Sequence, residues 1–187
     1  KIDINAIYED KKTALMVSAK NGHMQCVRAL IQAGAEVDAT EKNTGSTALI
    51  FSAQSGHKEC LQALIEAGAD VDIKDHDGYT ALIFAAENGH EQCVRTLIEA
   101  KANVDATDKS GHTALMGAAA EKGYQQCVQI LIEAGANVNA TDRHGFTALM
   151  LACQMGRERC AENLIKAGAD VNAANTDGST ALMLAAE

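Results

Sequence analysis

The chain contains no proline and no tryptophan, and only three tyrosines and three phenylalanines. Without proline no turn has a covalently fixed φ, so glycine and capping side chains must start and stop the elements. Aromatics make up 3% of the residues and apolar residues 47%. The core must therefore be built from Ala, Leu, Ile, Val, Cys and Met, which suits thin layers packed closely. No apolar run reaches the roughly 18 to 20 residues needed to cross a bilayer, and no secretory h-region opens the sequence. Basic charge is scarce too: 16 Lys and Arg stand against 25 Asp and Glu, a net charge of −9. Nucleic-acid binders carry a basic stripe, so that balance argues against a phosphate-binding surface and leaves room for a protein partner. Nucleophile elbows, phosphate-cradling glycine loops and His-Glu-x-x-His are all missing. No enzyme chemistry and no cofactor are expected.

What the sequence has is repetition. The triplet Thr-Ala-Leu starts at Thr13, Thr47, Thr80, Thr113, Thr147 and Thr180, at intervals of 34, 33, 33, 34 and 33 residues. A period of this length predicts a solenoid of helical units. Two residues before each Thr stands Gly45, Gly78, Gly111, Gly145 or Gly178, with Lys11 in the first unit. A second glycine follows each apolar stretch (Gly22, Gly56, Gly89, Gly123, Gly156). Next comes a segment such as His90–Ala100, then a tail of the type Ala102-Asn103-Val104-Asp105.

Each feature has a mechanical reading. Thr is a good N-cap, its hydroxyl accepting from a free amide of the first turn. A helix of about eight residues should follow, ended by a glycine with positive φ. In the second helix Cys93, Val94, Leu97 and Ile98 form one apolar stripe. Helices this short are marginal alone, so each unit must bury its neighbour's face. Lys101 stands where the other units have a helix-ending Gly, and strain is expected there if φ is positive.

The run Asp75-x-x-Gly78-x-Thr80-Ala81-Leu82-x-x-Ala85-Ala86-x-x-Gly89-His90-x-x-Cys93-Val94-x-x-Leu97-Ile98 resembles the ankyrin repeat. The resemblance covers essentially the whole chain. It implies an all-α solenoid, each unit two antiparallel helices and a β-turn finger, with a concave binding surface. Where the family usually has Thr-Pro-Leu-His, this chain puts Ala for Pro and Met or Ile for His (Met16, Ile50, Ile83, Met116, Met150, Met183). Apolar packing should then replace a side-chain hydrogen bond. The expected division is one solenoid over 1–187: the tail of a preceding repeat at 1–7, repeats at 8–41, 42–74, 75–107, 108–141 and 142–174, and a partial repeat at 175–187. Two units carry one extra residue, one within Thr40 to Gly45 and one within Ala118 to Gly123.

Five of the six cysteines, Cys26, Cys60, Cys93, Cys127 and Cys160, recur once per unit. Packed helices lie roughly 8 to 10 Å apart, beyond the Cα separation of about 7 Å that a disulfide tolerates. They read as small buried hydrophobes, with Cys153 equally structural. Reduced thiols point to an intracellular, cytoplasmic setting. His23, His57 and His90 also recur, but Tyr124 and Arg157 take the same place later. Stations of one stack cannot converge to the distance of about 2 Å that a metal requires, so packing at the helix start is expected.

Subtracting the framework leaves the variable positions. The residue before Thr reads Lys12, Ser46, Tyr79, His112, Phe146 and Ser179. Tyr79, His112 and Phe146 thus form a row in three consecutive central units, and aromatic side chains are favoured binding anchors. The rival reading is that Tyr79 and Phe146 only cover neighbouring fingers. Around the row stand His76, Asp77, Lys109, Arg143 and His144 at the finger tips, with Glu87, Asn88, Glu121 and Met155 near the ends of the first helices. The resemblance assigns these positions to the finger and concave surface.

The expectation is a non-catalytic interaction module docking a protein partner, monomeric unless the ends associate. The alternative is the regulatory or targeting ankyrin portion of a larger enzyme such as a protein kinase. Lys1 in place of an initiator Met, the tail-like Asp3-Ile4-Asn5-Ala6, and a last unit stopping at Glu187 are read as signs of a fragment.

Overall fold

The computed structural model describes residues 3–7, 11–120 and 122–186. These residues hold eleven helices: α1 Ala14–Lys20, α2 Met24–Gln32, α3 Ala48–Gln54, α4 Lys58–Glu66, α5 Ala81–Glu87, α6 Glu91–Glu99, α7 Ala114–Ala119, α8 Gln125–Glu133, α9 Ala148–Gln154, α10 Glu158–Lys166 and α11 Ala181–Leu184. No sheet forms among them, only isolated bridges joining Thr107 to Thr113 and Ala174 to Thr180.

The start of each odd-numbered helix follows from the triplet. Thr13, Thr47, Thr80, Thr113 and Thr147 hold extended backbone, and each hydroxyl accepts from the amide three residues on, as Thr80 does from Ile83 at 3.3 Å. Thr180 precedes α11 without that bond. The first helices run seven residues, and α7 only six, slightly under the expected eight. α1, α3, α5 and α9 end two residues before a glycine with φ between 64° and 75°, while α7 stops four residues before Gly123, whose φ is 62°.

The helices pile up in sequence order. α1, α3, α5, α7, α9 and α11 pack in series, α2, α4, α6, α8 and α10 pack in a parallel series, and each pair α1·α2 to α9·α10 packs internally. The triplet leucines Leu15, Leu49, Leu82, Leu115 and Leu149 are all buried, as are Met16, Ile50, Ile83, Met116 and Met150. Burying each such side chain contributes about 1.5–3 kcal/mol. In the last unit Leu182 and Met183 are exposed.

Hydrogen bonds tie the slabs together at both ends. On the finger side, Lys109 N–H donates to the Asp77 carbonyl, Arg143 N–H to Ser110 and Thr176 N–H to His144, each at 2.9 Å. On the tail side, a carboxylate or amide oxygen of one unit accepts from a backbone amide of the next: Asp72 from Asn103 at 2.9 Å, Asp105 from Asn137 at 2.8 Å, Asn139 from Asp170 at 2.8 Å. The recurrent Asp/Asn of the tail is thereby explained as a staple between units.

The extra residue in the second finger is accommodated by a longer side chain. Where other fingers use Asp75, Asp108 or Asp142, this one uses Glu41, which is buried. Its carboxylate accepts from Asn43 N–H at 3.0 Å and from Thr44 N–H and Oγ at 2.8 Å. Burial pushes its pKa up, but these hydrogen bonds and Lys12 outweigh that and hold it below the usual value.

Lys101 does adopt positive φ, at 68°, and keeps the helix-ending bonds of the glycine units, its N–H donating to Ile98 and Ala102 N–H to Leu97. Lys101→Gly should therefore stabilise the array by about 1 kcal/mol. A raised urea midpoint is expected, and an unchanged or lower one would contradict this.

Candidate functional site

The finger fixes its last residue by both backbone groups. Tyr79 N–H donates to Asp75 Oδ1 at 2.9 Å while its carbonyl accepts from Asp75 N–H at 2.9 Å. His112 is held in the same way by Asp108, and Phe146 by Asp142. The backbone of all three positions is thus fixed in the same way, one per unit.

Their side chains differ in what they touch. Tyr79 stacks on Phe84 of α5, with ring centroids 4.8 Å apart and planes 27° from parallel. Burial pushes the Tyr79 hydroxyl up to about 12, and the negative charges of Glu87, Asp108 and Asp75 add to the shift. His112 lies between two finger carboxylates, Nδ1 3.4 Å from Asp108 and Nε2 3.3 Å from Asp142. It therefore bridges the fourth and fifth fingers. Phe146 is half-buried and packs against the core.

A groove of about 450 Å³ opens beside them. Tyr79 and His112 line it from the fingers, Glu87, Asn88 and Lys122 from the ends of the first helices, and Met116, Gly117, Ala120 and Leu151 make up the rest of its lining. Four of the residues singled out in the sequence, Tyr79, Glu87, Asn88 and His112, meet here. Phe146 and Met155 do not line it, nor do the exposed tip residues His76, Asp77, Lys109, Arg143 and His144. Glu121 lies outside the described residues. Gly117 and Leu151 were missed by the sequence reading. The signal for them is the fourth residue after each Thr, which reads Val17, Phe51, Phe84, Gly117, Leu151. Ala120 and Lys122, from the segment of the fourth unit that carries the extra residue, also line the groove.

Histidines of the inter-helix turns have a packing role. His57 lies over Gly22 and His90 over Gly56, so close that a Cβ on either glycine would sit 2.6 Å or 2.5 Å from the ring. Tyr124 and Arg157 cover Gly89 and Gly123 likewise. His90 Nε2 also lies 3.1 Å from the Gln54 carbonyl. One cysteine departs from expectation: Cys60, Cys93, Cys127 and Cys160 are buried, but Cys26 is exposed. Its unit has no described second helix packed on the side away from α4. Cys153 is half-buried, and all six are unpaired thiols.

Family models described as ankyrin repeats match residues 1–75, 70–142 and 119–185. The chain belongs to the ankyrin repeat family. The crystal structure of the ankyrin repeat domain of Bcl-3, described as a member of the IkappaB protein family, superposes with a TM-score of 0.87 at 32% identity, covering 97% of this chain and 81% of that one. Among curated proteins, cortactin-binding protein 2 from Rattus norvegicus and from Mus musculus are each 55% identical over 42 residues. That match takes in 22% of this ankyrin chain, and the chain spans about 2% of those relatives' length. Ankyrin repeats are in general protein–protein interaction modules. None of this ankyrin chain's described helices is long and apolar enough to cross a membrane.

Proposed function

We propose that this ankyrin array is a non-catalytic module that docks a protein partner on its concave and finger surface, centred on Tyr79, His112 and Phe146. His76, Asp77, Lys109, Arg143 and His144 would flank the partner from the finger tips, and Glu87, Asn88, Glu121 and Met155 from the helix ends. The observation that carries this is the groove itself: Tyr79 and His112 are locked by paired backbone bonds, in adjacent units, on one open, partly apolar surface. Rigid anchors lose little freedom on binding, which favours affinity. The 42 residues shared with cortactin-binding protein 2 amount to little more than one unit. Such a stretch reflects framework, and the partner in that name is not carried over.

The test uses a photo-crosslinking residue at the exposed Asp77. Proteins captured by the original chain should be lost when Tyr79, His112 and Phe146 are all replaced by Ala, with circular dichroism confirming the fold. Equal capture by the folded triple variant would end the proposal.

A further inference from the structure

His112 sits between two carboxylates that the fingers themselves hold in place. Asp108 Oδ1 accepts from Ser110 N–H and His112 N–H, each at 2.8 Å. Asp142 Oδ1 accepts from His144 N–H at 2.9 Å and Phe146 N–H at 2.8 Å. The second oxygen of each faces the ring, Asp108 Oδ2 3.4 Å from Nδ1 and Asp142 Oδ2 3.3 Å from Nε2. The two carboxylate side chains are only 3% and 6% exposed, against 36% for His112. The ring thus reaches water while both its partners are shielded from it, which strengthens their attraction for a positive charge. The Tyr79 hydroxyl also hydrogen-bonds to Asp108. A polar chain of Tyr79, Asp108, His112 and Asp142 therefore crosses three consecutive units.

This arrangement calls for a charged ring. A neutral imidazole has one N–H, so it can turn a donor to one carboxylate while the lone pair of its other nitrogen faces the second. The protonated ring presents an N–H to both. The finger does not need the negative charge: in the sixth finger Asn175 takes the Asp place, its Oδ1 accepting from Asp177 N–H at 3.0 Å and Ser179 N–H at 2.8 Å. Nor does it need the ring, since Ser46 and Ser179 take the place of His112 in two other units. Further charged groups surround the pair of fingers. In the preceding unit Lys74 Nζ donates to the Thr107 carbonyl at 2.7 Å, and Asp75 holds Tyr79 N–H. Glu87 and Lys122 line the same groove as His112, and α7 beneath it has no charged side chain. Asp77, Lys109, Arg143 and His144 are exposed at the tips.

We propose that His112 is a proton-operated clasp between the fourth and fifth fingers. With a proton on each nitrogen it ties Asp108 to Asp142; with one proton removed it holds one finger and lets go of the other. Folding brings the ring between two negative groups that the unfolded chain keeps apart, so the folded state favours the protonated form. The added stability is then complete at a pH where an ordinary histidine is already charged, and it is lost as the pH rises. The clasp borders the groove, but it stands whether or not that surface docks a partner.

The experiment measures urea midpoints of the full chain, His112→Ser, Asp142→Asn and the double variant between about pH 5.5 and about pH 8.5, the range in which histidine changes charge. Both substitutions borrow residues that other fingers carry at the same places, so the array should still fold. His112→Gln repeats the comparison with a side chain closer in size. The lead of the full chain over either His112 variant should be greatest at the acid end. It should shrink by roughly five- to tenfold in folding constant toward the alkaline end, the scale of a partly buried ion pair. In the Asp142→Asn background the effect of His112→Ser should vary less with pH, because only Asp108 still faces the ring. A lead that does not change with pH, or that grows as the pH rises, would overturn the proposal. So would an equal pH dependence in the Asp142→Asn background, since the ring would then not be joining the two fingers.

Discussion

Gly78→Ala will lower the urea midpoint far more than Gly68→Ala, although both glycines hold a φ of 89°. An L side chain in that region costs on the order of 1 kcal/mol, and both variants carry that strain. The two differ in what a Cβ would meet. At Gly68 there is nothing within 4 Å. At Gly78 a Cβ would lie 2.8 Å from the Lys109 nitrogen and 3.0 Å from the Asp108 carbonyl carbon, both backbone atoms of the next finger. Backbone cannot swing aside as a side chain can. The finger must move, and the 2.9 Å bond from Lys109 N–H to Asp77 is lost with it. We expect a cost of about 3 kcal/mol or more for Gly78→Ala against about 1 kcal/mol for Gly68→Ala. Equal losses would mean the fingers are not packed on one another as described.

The thiols will react in an order that the stack dictates. Burial pushes Cys93 up to about 11, with Glu59 adding and Lys58 opposing, and pushes Cys127 up to about 12, with Glu91 adding and Arg95 opposing. Burial also raises Cys60, Cys153 and Cys160. Only the thiolate is alkylated. Relative to a thiol at 9.0, Cys93 is then about a hundredfold and Cys127 about a thousandfold poorer in thiolate at neutral pH. Mass spectrometry after brief alkylation of the folded protein should find Cys26 modified first, Cys153 next, and Cys93 and Cys127 last. Because the shifts are upward, raising the pH should go on accelerating Cys93 and Cys127 where an ordinary thiol has already levelled off. Comparable early labelling of Cys127 and Cys26 would contradict the burial.

The fold was legible because it depends on signals local in sequence. A capping Thr, a stop glycine and a stripe of apolar residues each act within one helix, and their period gives the stacking order. Lys101 illustrates how far this reaches, since its positive φ follows from the register of its neighbours alone. The features that were not legible depend on two units at once. Cys26 matches its counterparts residue for residue, and its exposure is set by what packs on α2. The tail Asp and Asn residues look like ordinary turn formers until their oxygens are seen accepting from the next unit's amides. Glu41 is likewise readable only once the extra finger residue shows what a longer carboxylate arm must span.

The site divides in the same way. Tyr79 and His112 stood out because the residue before Thr varies while everything around it repeats. Gly117 did not, because one glycine in a helical pattern reads as a local weakness. Its surroundings appear only in the structure, where the Glu87 side chain of the preceding unit lies against it and Leu151 of the next lines the same groove. A search for variation finds what protrudes and overlooks what is missing.

The account's central claim is that no single slab is stable and that the stack supplies the order. A synthetic peptide of residues 75–107, one whole unit with Thr80 and both helices, tests it directly by far-ultraviolet circular dichroism. Seven- and nine-residue helices without packed neighbours should leave it essentially unstructured in water, while the full chain gives a strong helical spectrum. A peptide with the helical signal of the intact array would contradict the claim.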